Sequence, residues 1–180
     1  MRKQSEHHHG TLKALYTFPY SVQVLLLTLV ASFLLSLLSA VLADAYLLER
    51  IPIVGDFVGL QLSHNAGIAW GMELPGGIQE VAILLALIAV FVLAFRAARS
   101  QLSTVNCLPL EAPRRGAKWG QLLAFGLILG GGMANVVDRF RDGIVTDYFQ
   151  VGTFPIFNVA DSCVTVGVIL LLLVGGKGHV

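Results

Sequence analysis

Four stretches of this 180-residue chain carry no charged side chain, and each is long or nearly long enough to cross a lipid bilayer. Residues 14–43 run for 30 positions without a charge, and 81–95, 119–137 and 162–176 are likewise uncharged. An α-helix of about 20 residues rises about 30 Å, the thickness of the hydrocarbon core. The first window has slack. The second and fourth need flanking residues, which puts Glu80 and Asp161 near an interface. The pattern predicts spans over about 20–43, 78–96, 119–137 and 158–175. They must be helical, because a lipid-exposed strand leaves its backbone polar groups unpaired. The runs are also continuous, without the alternation of a membrane barrel.

The expected fold class is therefore all-α integral membrane, with four transmembrane helices in one domain over 1–180 and a flexible arm at 1–13. Composition agrees. Hydrophobic residues make up 56% and charged residues 13%, against about 25% charged in soluble domains. That excludes a disordered chain, a basic nucleic-acid binder and a disulfide-stapled miniprotein. Cys107 and Cys163 fall on opposite sides of the membrane, too far apart for a disulfide, and read as small buried hydrophobes. His7–His9 have no second ligand cluster and make a poor metal site.

Orientation follows from the basic residues. Arg2, Lys3, Lys13, Arg96, Arg99, Arg114, Arg115, Lys118 and Lys177 fall on one side; Arg50, Arg139 and Arg141 fall on the other. The positive-inside rule puts both termini in the cytoplasm. Tyr16, Phe18, Tyr20 and Trp119 then mark the inner interface, and Trp70, Tyr148 and Phe149 the outer one. Nine of the eleven acids lie on the outer side or at its interface. Acids weigh little in topology, so function must account for them. Between spans one and two, residues 51–65 alternate partly and are rich in β-branched side chains, which predicts a short strand or hairpin on the outer surface. The 100–118 loop contains Pro109 and Pro113 and is expected to be irregular.

The chemistry concentrates in residues 130–161, which hold four Asp, two Arg and two Asn close to the membrane. Ionisable residues there are costly and mark function by default. Asn135, Asp138 and Arg139 share a helical face at the outer end of span three. Asn158 and Asp161 share one at the start of span four. The connection between them is read as a loop of about 20 residues, a span that would bring the two helix ends side by side. Gly130–Gly132 permit close approach of another backbone to span three.

Two carboxylates in one site cannot both ionise easily, so one retains its proton and serves as acid while the other serves as base on a water. The candidates are Asp138, Asp142, Asp147 and Asp161. Asp138 stands beside Arg139 and reads equally as an ion-pair member. Asp142, in a turn-like Arg-Asp-Gly, reads as solvated. Asp147 lies in an apolar setting and Asp161 begins an apolar helix, so this pair is favoured without the others being excluded. No G-x-S-x-G, intramembrane Ser/Lys pair or H-E-x-x-H is present. The only His outside the arm and tail is His64.

The segment resembles the signature of the lipoprotein signal peptidases, also called signal peptidase II. The matching blocks are Asn135-x-x-Asp138-Arg139, then Gly143-x-Val145-x-Asp147-Tyr148, then Phe157-Asn158-x-Ala160-Asp161. A further block is Asn65-x-Gly67-x-Ala69-Trp70-Gly71, and Asp44 matches an Asp at the outer end of the first span. The resemblance implies a catalytic pair Asp147 and Asp161. Asn65, Gly67, Asn135, Arg139 and Asn158 would shape the substrate site, and Asp44, Asp138 and Ala160 would support it. It implies diacylglyceryl-modified prolipoproteins as substrates, cut just before the lipidated cysteine. It also implies a multi-pass place in a bacterial cytoplasmic membrane, with the site at the outer face among membrane lipid. No cofactor, metal or nucleic acid is implied. The chain departs from the family pattern at Leu48 (usually Lys), Ala134 (commonly Gly), Trp70 and Tyr148 (each commonly Phe).

Other readings predict different patterns. A metal-dependent head-group transferase would place acids at i, i+4 spacing on the cytoplasmic side. A proton-coupled Asp transporter would place acids at mid-membrane in repeated halves. A non-catalytic membrane relative would keep the polar cluster as a plug between helix ends.

Overall fold

The computed structural model describes residues 20–67, 77–104 and 115–175. Expectations for the 1–13 arm, His7–His9, Tyr16, Phe18, residues 69–71, Cys107, Pro109, Pro113, Arg114 and Lys177 lie outside these residues. Four helices form: α1 (Tyr20–Tyr46), α2 (Ile78–Thr104), α3 (Arg115–Asp142) and α4 (Val159–Gly175). The first three are long and apolar enough to cross a membrane. Helix α4 is apolar throughout but has 17 residues, a rise of roughly 25 Å.

The helices outrun the charge-free windows. Helix α1 carries Asp44 within it, and α3 continues through Asp138, Arg139 and Asp142. Helical hydrogen bonding does not need apolar side chains, only an interface or a partner for the polar ones. Residues 100–104 and 115–118, expected to be irregular, are helical as well.

Helix α3 is the least apolar of the three long helices and the most buried, half of it lying inside the protein. Lipid contact demands apolar side chains, whereas an interior position between helices accepts small and polar ones. Its glycines show how closely the neighbours approach. A Cβ at Gly126 would lie 2.7 Å from Thr28 Cβ on α1, and one at Gly131 would lie 2.5 Å from the Ala160 carbonyl on α4. Ser32 of α1 also donates across the seam to the Gly126 carbonyl at 3.3 Å. Helix α2 joins through Ala94, which packs with Phe125 and Leu129 of α3.

The strand-containing element is larger than expected. Strands β1 (Ile51–Val54) and β2 (Val58–Asn65) form the hairpin foreseen between the first two spans. The segment read as a loop before span four folds into two more strands, β3 (Val145–Val151) and β4 (Phe154–Phe157). All four make one antiparallel sheet in the order β1-β2-β3-β4. The fold is thus mostly helical with a small sheet, rather than helical with one hairpin. Val145, Thr146, Asp147 and Tyr148 are buried on both faces of β3, because the strand lies against the helix ends. Gly143 ends α3 in the left-handed conformation (φ 88°), its N–H donating to the Arg139 carbonyl at 2.8 Å. That stop sends the chain directly into β3.

Candidate active site

The site forms where β3 meets the C-terminal end of α3 and the N-terminal end of α4. Its centre is a reciprocal helix cap. Asn158 precedes α4, and its Oδ1 accepts from the Asp161 backbone N–H at 2.9 Å. Asp161 Oδ2 in turn accepts from the Asn158 backbone N–H at 3.3 Å. This is a capping box with Asp in the third helical position, so the Asn-x-x-Asp spacing alone orients the Asp161 carboxyl.

The same Asn158 reaches the second carboxyl. Its Nδ2 donates to Asp147 Oδ1 at 2.8 Å and lies 3.1 Å from Asn135 Oδ1. Asn135, on α3, donates to Asp161 Oδ1 at 2.7 Å. Asn65 donates to Asp147 Oδ2 at 3.1 Å, while its own Oδ1 accepts from the Gly67 N–H at 2.9 Å. The strand register explains this contact. Asn65 pairs with Val145 and Ser63 with Asp147, so Asn65 and Asp147 are diagonal neighbours on one face of the sheet, within reach of each other.

The surrounding charges are held from behind. Asp138 is 6% exposed and accepts from the Thr146 backbone N–H at 2.7 Å, fixing β3 beside α3. Its ion partner is Arg141 at 3.7 Å, not the adjacent Arg139. Arg139 instead donates through Nη2 to the Gly67 carbonyl, and its buried Nε has no hydrogen-bond partner among the described residues. Ala160 is buried under Gly131. Asp44 stands at the rim, its carboxylate 3.3 Å from His64 Nε2, both side chains nearly half exposed. Leu48, where the related pattern has Lys, is 86% exposed and offers Asp44 nothing; His64 takes the place beside it.

Asp147 is 1% exposed. Burial, then the neighbouring Asp161 charge, push its carboxyl up to about 7, against the opposing hydrogen bonds from Asn65 and Asn158 and the Arg139 charge. One carboxyl of the pair therefore holds a proton near neutrality, as acid–base work on a water requires. A mainly apolar cavity of about 150 Å³ opens between α2 and α3, lined by Glu80, Ile83, Leu84, Phe140, Asn135 and Arg139. The last two also belong to the polar cluster, so the cavity reaches the edge of that cluster.

The structure thus gathers Asn65, Gly67, Asn135, Asp138, Arg139, Asn158, Ala160 and Asp161 around Asp147, and leaves Asp44 at the edge. Asp142 is exposed and accepts from the Ile144 N–H at 3.2 Å, in keeping with the solvated role foreseen for it. Cys163, expected to be buried, is half-buried beneath the site. Three contributors had no assigned role in the sequence: His64, Thr146 and Ser39, the last of which accepts a hydrogen bond from Tyr148. His64 and Ser39 meet partners remote in the chain, and Thr146 acts through its own backbone groups, which no local pattern reports.

Known proteins resemble this chain in sequence and in fold. A sequence profile described as signal peptidase (SPase) II matches residues 27–175. A lipoprotein signal peptidase of Dehalococcoides mccartyi is 42% identical over 123 residues, covering 68% of this chain and 69% of its own. One from Rhodococcus jostii is 35% identical over 159 residues, covering 83% and 71% respectively. A bacterial membrane enzyme solved by the in meso method at 1.9 Å superposes with a TM-score of 0.65 at 22% identity, over 88% of this chain and 96% of that one. The last comparison speaks for the fold, and the first three for descent: this chain belongs to the signal peptidase II family of lipoprotein signal peptidases.

Proposed function

We propose that this chain is an aspartic endopeptidase that removes the signal peptide from prolipoproteins, using Asp147 and Asp161 as its catalytic pair. The observation that carries the reading is the bridge at Asn158, whose side chain binds Asp147 while capping the helix turn that holds Asp161. A buried and a half-buried carboxyl so linked share one proton.

The reaction follows from that proton. Asp147, pushed up to about 7, donates to the scissile carbonyl oxygen. Asp161 as carboxylate accepts a proton from water, whose oxygen attacks the carbonyl carbon. The tetrahedral intermediate then collapses as the proton on Asp161 passes to the leaving nitrogen and the hydroxyl proton returns to Asp147. The C–N bond breaks and a free amino group is released. Arg139 and Asn135, at the end of the apolar cavity, face the position a substrate backbone would take.

The substrate is a prolipoprotein carrying diacylglyceryl cysteine, cut just before that residue. The apolar cavity between α2 and α3 suits a lipid-anchored chain arriving sideways from the bilayer. With the basic residues inside, both termini lie in the cytoplasm and the sheet and site at the outer face of the bacterial cytoplasmic membrane. The test is a gel-shift assay in detergent with a lipidated prolipoprotein and its unlipidated counterpart. Only the lipidated form is cut. Asp147→Asn and Asp161→Asn each lower turnover by about 10²–10⁴-fold while the protein still inserts. Full activity in either variant sinks the pair, and inhibition by EDTA would favour metal chemistry instead.

A further inference from the structure

Tyr148 follows Asp147 directly on β3 and is 5% exposed. Its hydroxyl is the middle of a chain of three hydrogen bonds that joins three elements. The Val159 backbone N–H, at the first position of α4, lies 3.3 Å from Tyr148 Oη. Tyr148 Oη lies 2.6 Å from Ser39 Oγ on α1, and Ser39 Oγ lies 2.9 Å from the Ser36 carbonyl. The first group can only donate and the last can only accept. The direction of every proton is therefore settled: Val159 donates to Tyr148, Tyr148 to Ser39, and Ser39 to Ser36.

The first turn of a helix leaves its N–H groups without intrahelical partners. In α4 the Asp161 N–H goes to the Asn158 side chain and the Ser162 N–H to the Asn158 carbonyl. The Val159 N–H goes to Tyr148. The helix that presents Asp161 is thus capped twice, once by Asn158 and once by the residue next to Asp147. Burial raises the phenol above its ordinary range, which keeps the hydroxyl protonated and able to donate. A Phe here keeps the ring but cannot make either bond.

We propose that Tyr148 is a positioning residue for peptide cleavage: its hydroxyl ties the first turn of α4 to β3 and, held by Ser39, anchors both to α1, and so fixes Asp161 opposite Asp147. The proposal rests on the aspartic-pair reading. Tyr148→Phe lowers kcat about fivefold, the worth of one hydrogen bond, with KM within twofold of wild type. It also moves the alkaline limb of the pH–rate profile to lower pH, because a loosened Asp161 raises Asp147 less. Ser39→Ala reproduces both effects, Ser39→Thr restores them, and the double variant Tyr148→Phe/Ser39→Ala is no worse than Tyr148→Phe alone. Amide hydrogen exchange at Val159, which needs no activity, speeds up in Tyr148→Phe. An unchanged pH profile, additive effects of the two substitutions, or an equally protected Val159 amide overturns the proposal. Failure of the underlying reading is distinct: it appears as activity in Asp147→Asn, or as no cleavage by the wild-type protein.

Discussion

Asn65 stands diagonally across the β2–β3 ladder from Asp147 and donates to its Oδ2 at 3.1 Å, although 82 residues separate the two in the chain. That hydrogen bond favours the ionised carboxyl and holds Asp147 below the value that burial alone would set. Asn65→Ala removes it. The Asp147 carboxyl then rises further, and the alkaline limb of the pH–rate profile moves to higher pH. Turnover falls about tenfold, within the range for a lost hydrogen bond to a charged group. A limb that stays in place would show that Asn65 does not act on Asp147.

Asn158 serves two roles that substitution can separate. Asn158→Ala loses the cap, costing about 1 kcal/mol of stability, and loses the bridge as well. Asn158→Asp keeps a cap acceptor but sets a third carboxylate against Asp147. The expected outcome is a thermal midpoint nearer wild type for the Asp variant than for the Ala variant, with turnover lost in both. Activity retained in Asn158→Asp would show that the bridge to Asp147 is dispensable.

Stability depends on pH through Asp147. In the unfolded chain this group titrates at its ordinary value of 3.8, and in the fold it holds its proton up to about 7. Between those values the folded state binds more protons, so its contribution to stability falls as pH rises and levels off above about 7. Thermal melts in detergent at about pH 5 and about pH 8 should show a smaller midpoint difference for Asp147→Asn than for wild type. Equal differences would mean that Asp147 is not the group concerned.

Gly131 lies under the first turn of α4. A Cβ there would approach the Ala160 carbonyl to 2.5 Å, so Gly131→Val pushes backbone, not a flexible side-chain tip. The cost is about 1–3 kcal/mol, and because Asp161 follows Ala160 directly, cleavage falls more steeply than folding. Activity per folded molecule, counted by size-exclusion recovery, checks this. A loss of folded protein with undiminished specific activity would contradict it.

His64 and Asp44 make a half-exposed pair, and such pairs are worth about 0–1 kcal/mol. His64→Ala therefore leaves the thermal midpoint nearly unchanged. A large drop would show that this contact anchors β2 to α1.

The helices were legible because a charge-free window and a required length leave few alternatives. Their ends were not, since Asp44 and Asp138 sit inside helices whose hydrogen bonding does not depend on side-chain polarity. The Asn158–Asp161 spacing fits a shared helical face and equally a capping box, a local signal present in the sequence. Strands β3 and β4 were missed although Gly152–Thr153 between apolar runs has the look of a two-residue hairpin turn. The contacts of His64 with Asp44 and of Tyr148 with Ser39 span 20 and 109 residues. Their pairing depends on how the helices pack, and no spacing rule reaches that far.

The sheet has a consequence for biosynthesis. Strand β2 is made before α2 and α3, and its partner β3 only after both. The β2–β3 ladder, and with it the meeting of Asn65 with Asp147, must wait until two further helices have entered the bilayer. Contacts so distant in sequence close late in folding. On the proposed aspartic-pair reading, hydrolytic competence therefore arrives only once the chain's own insertion is complete.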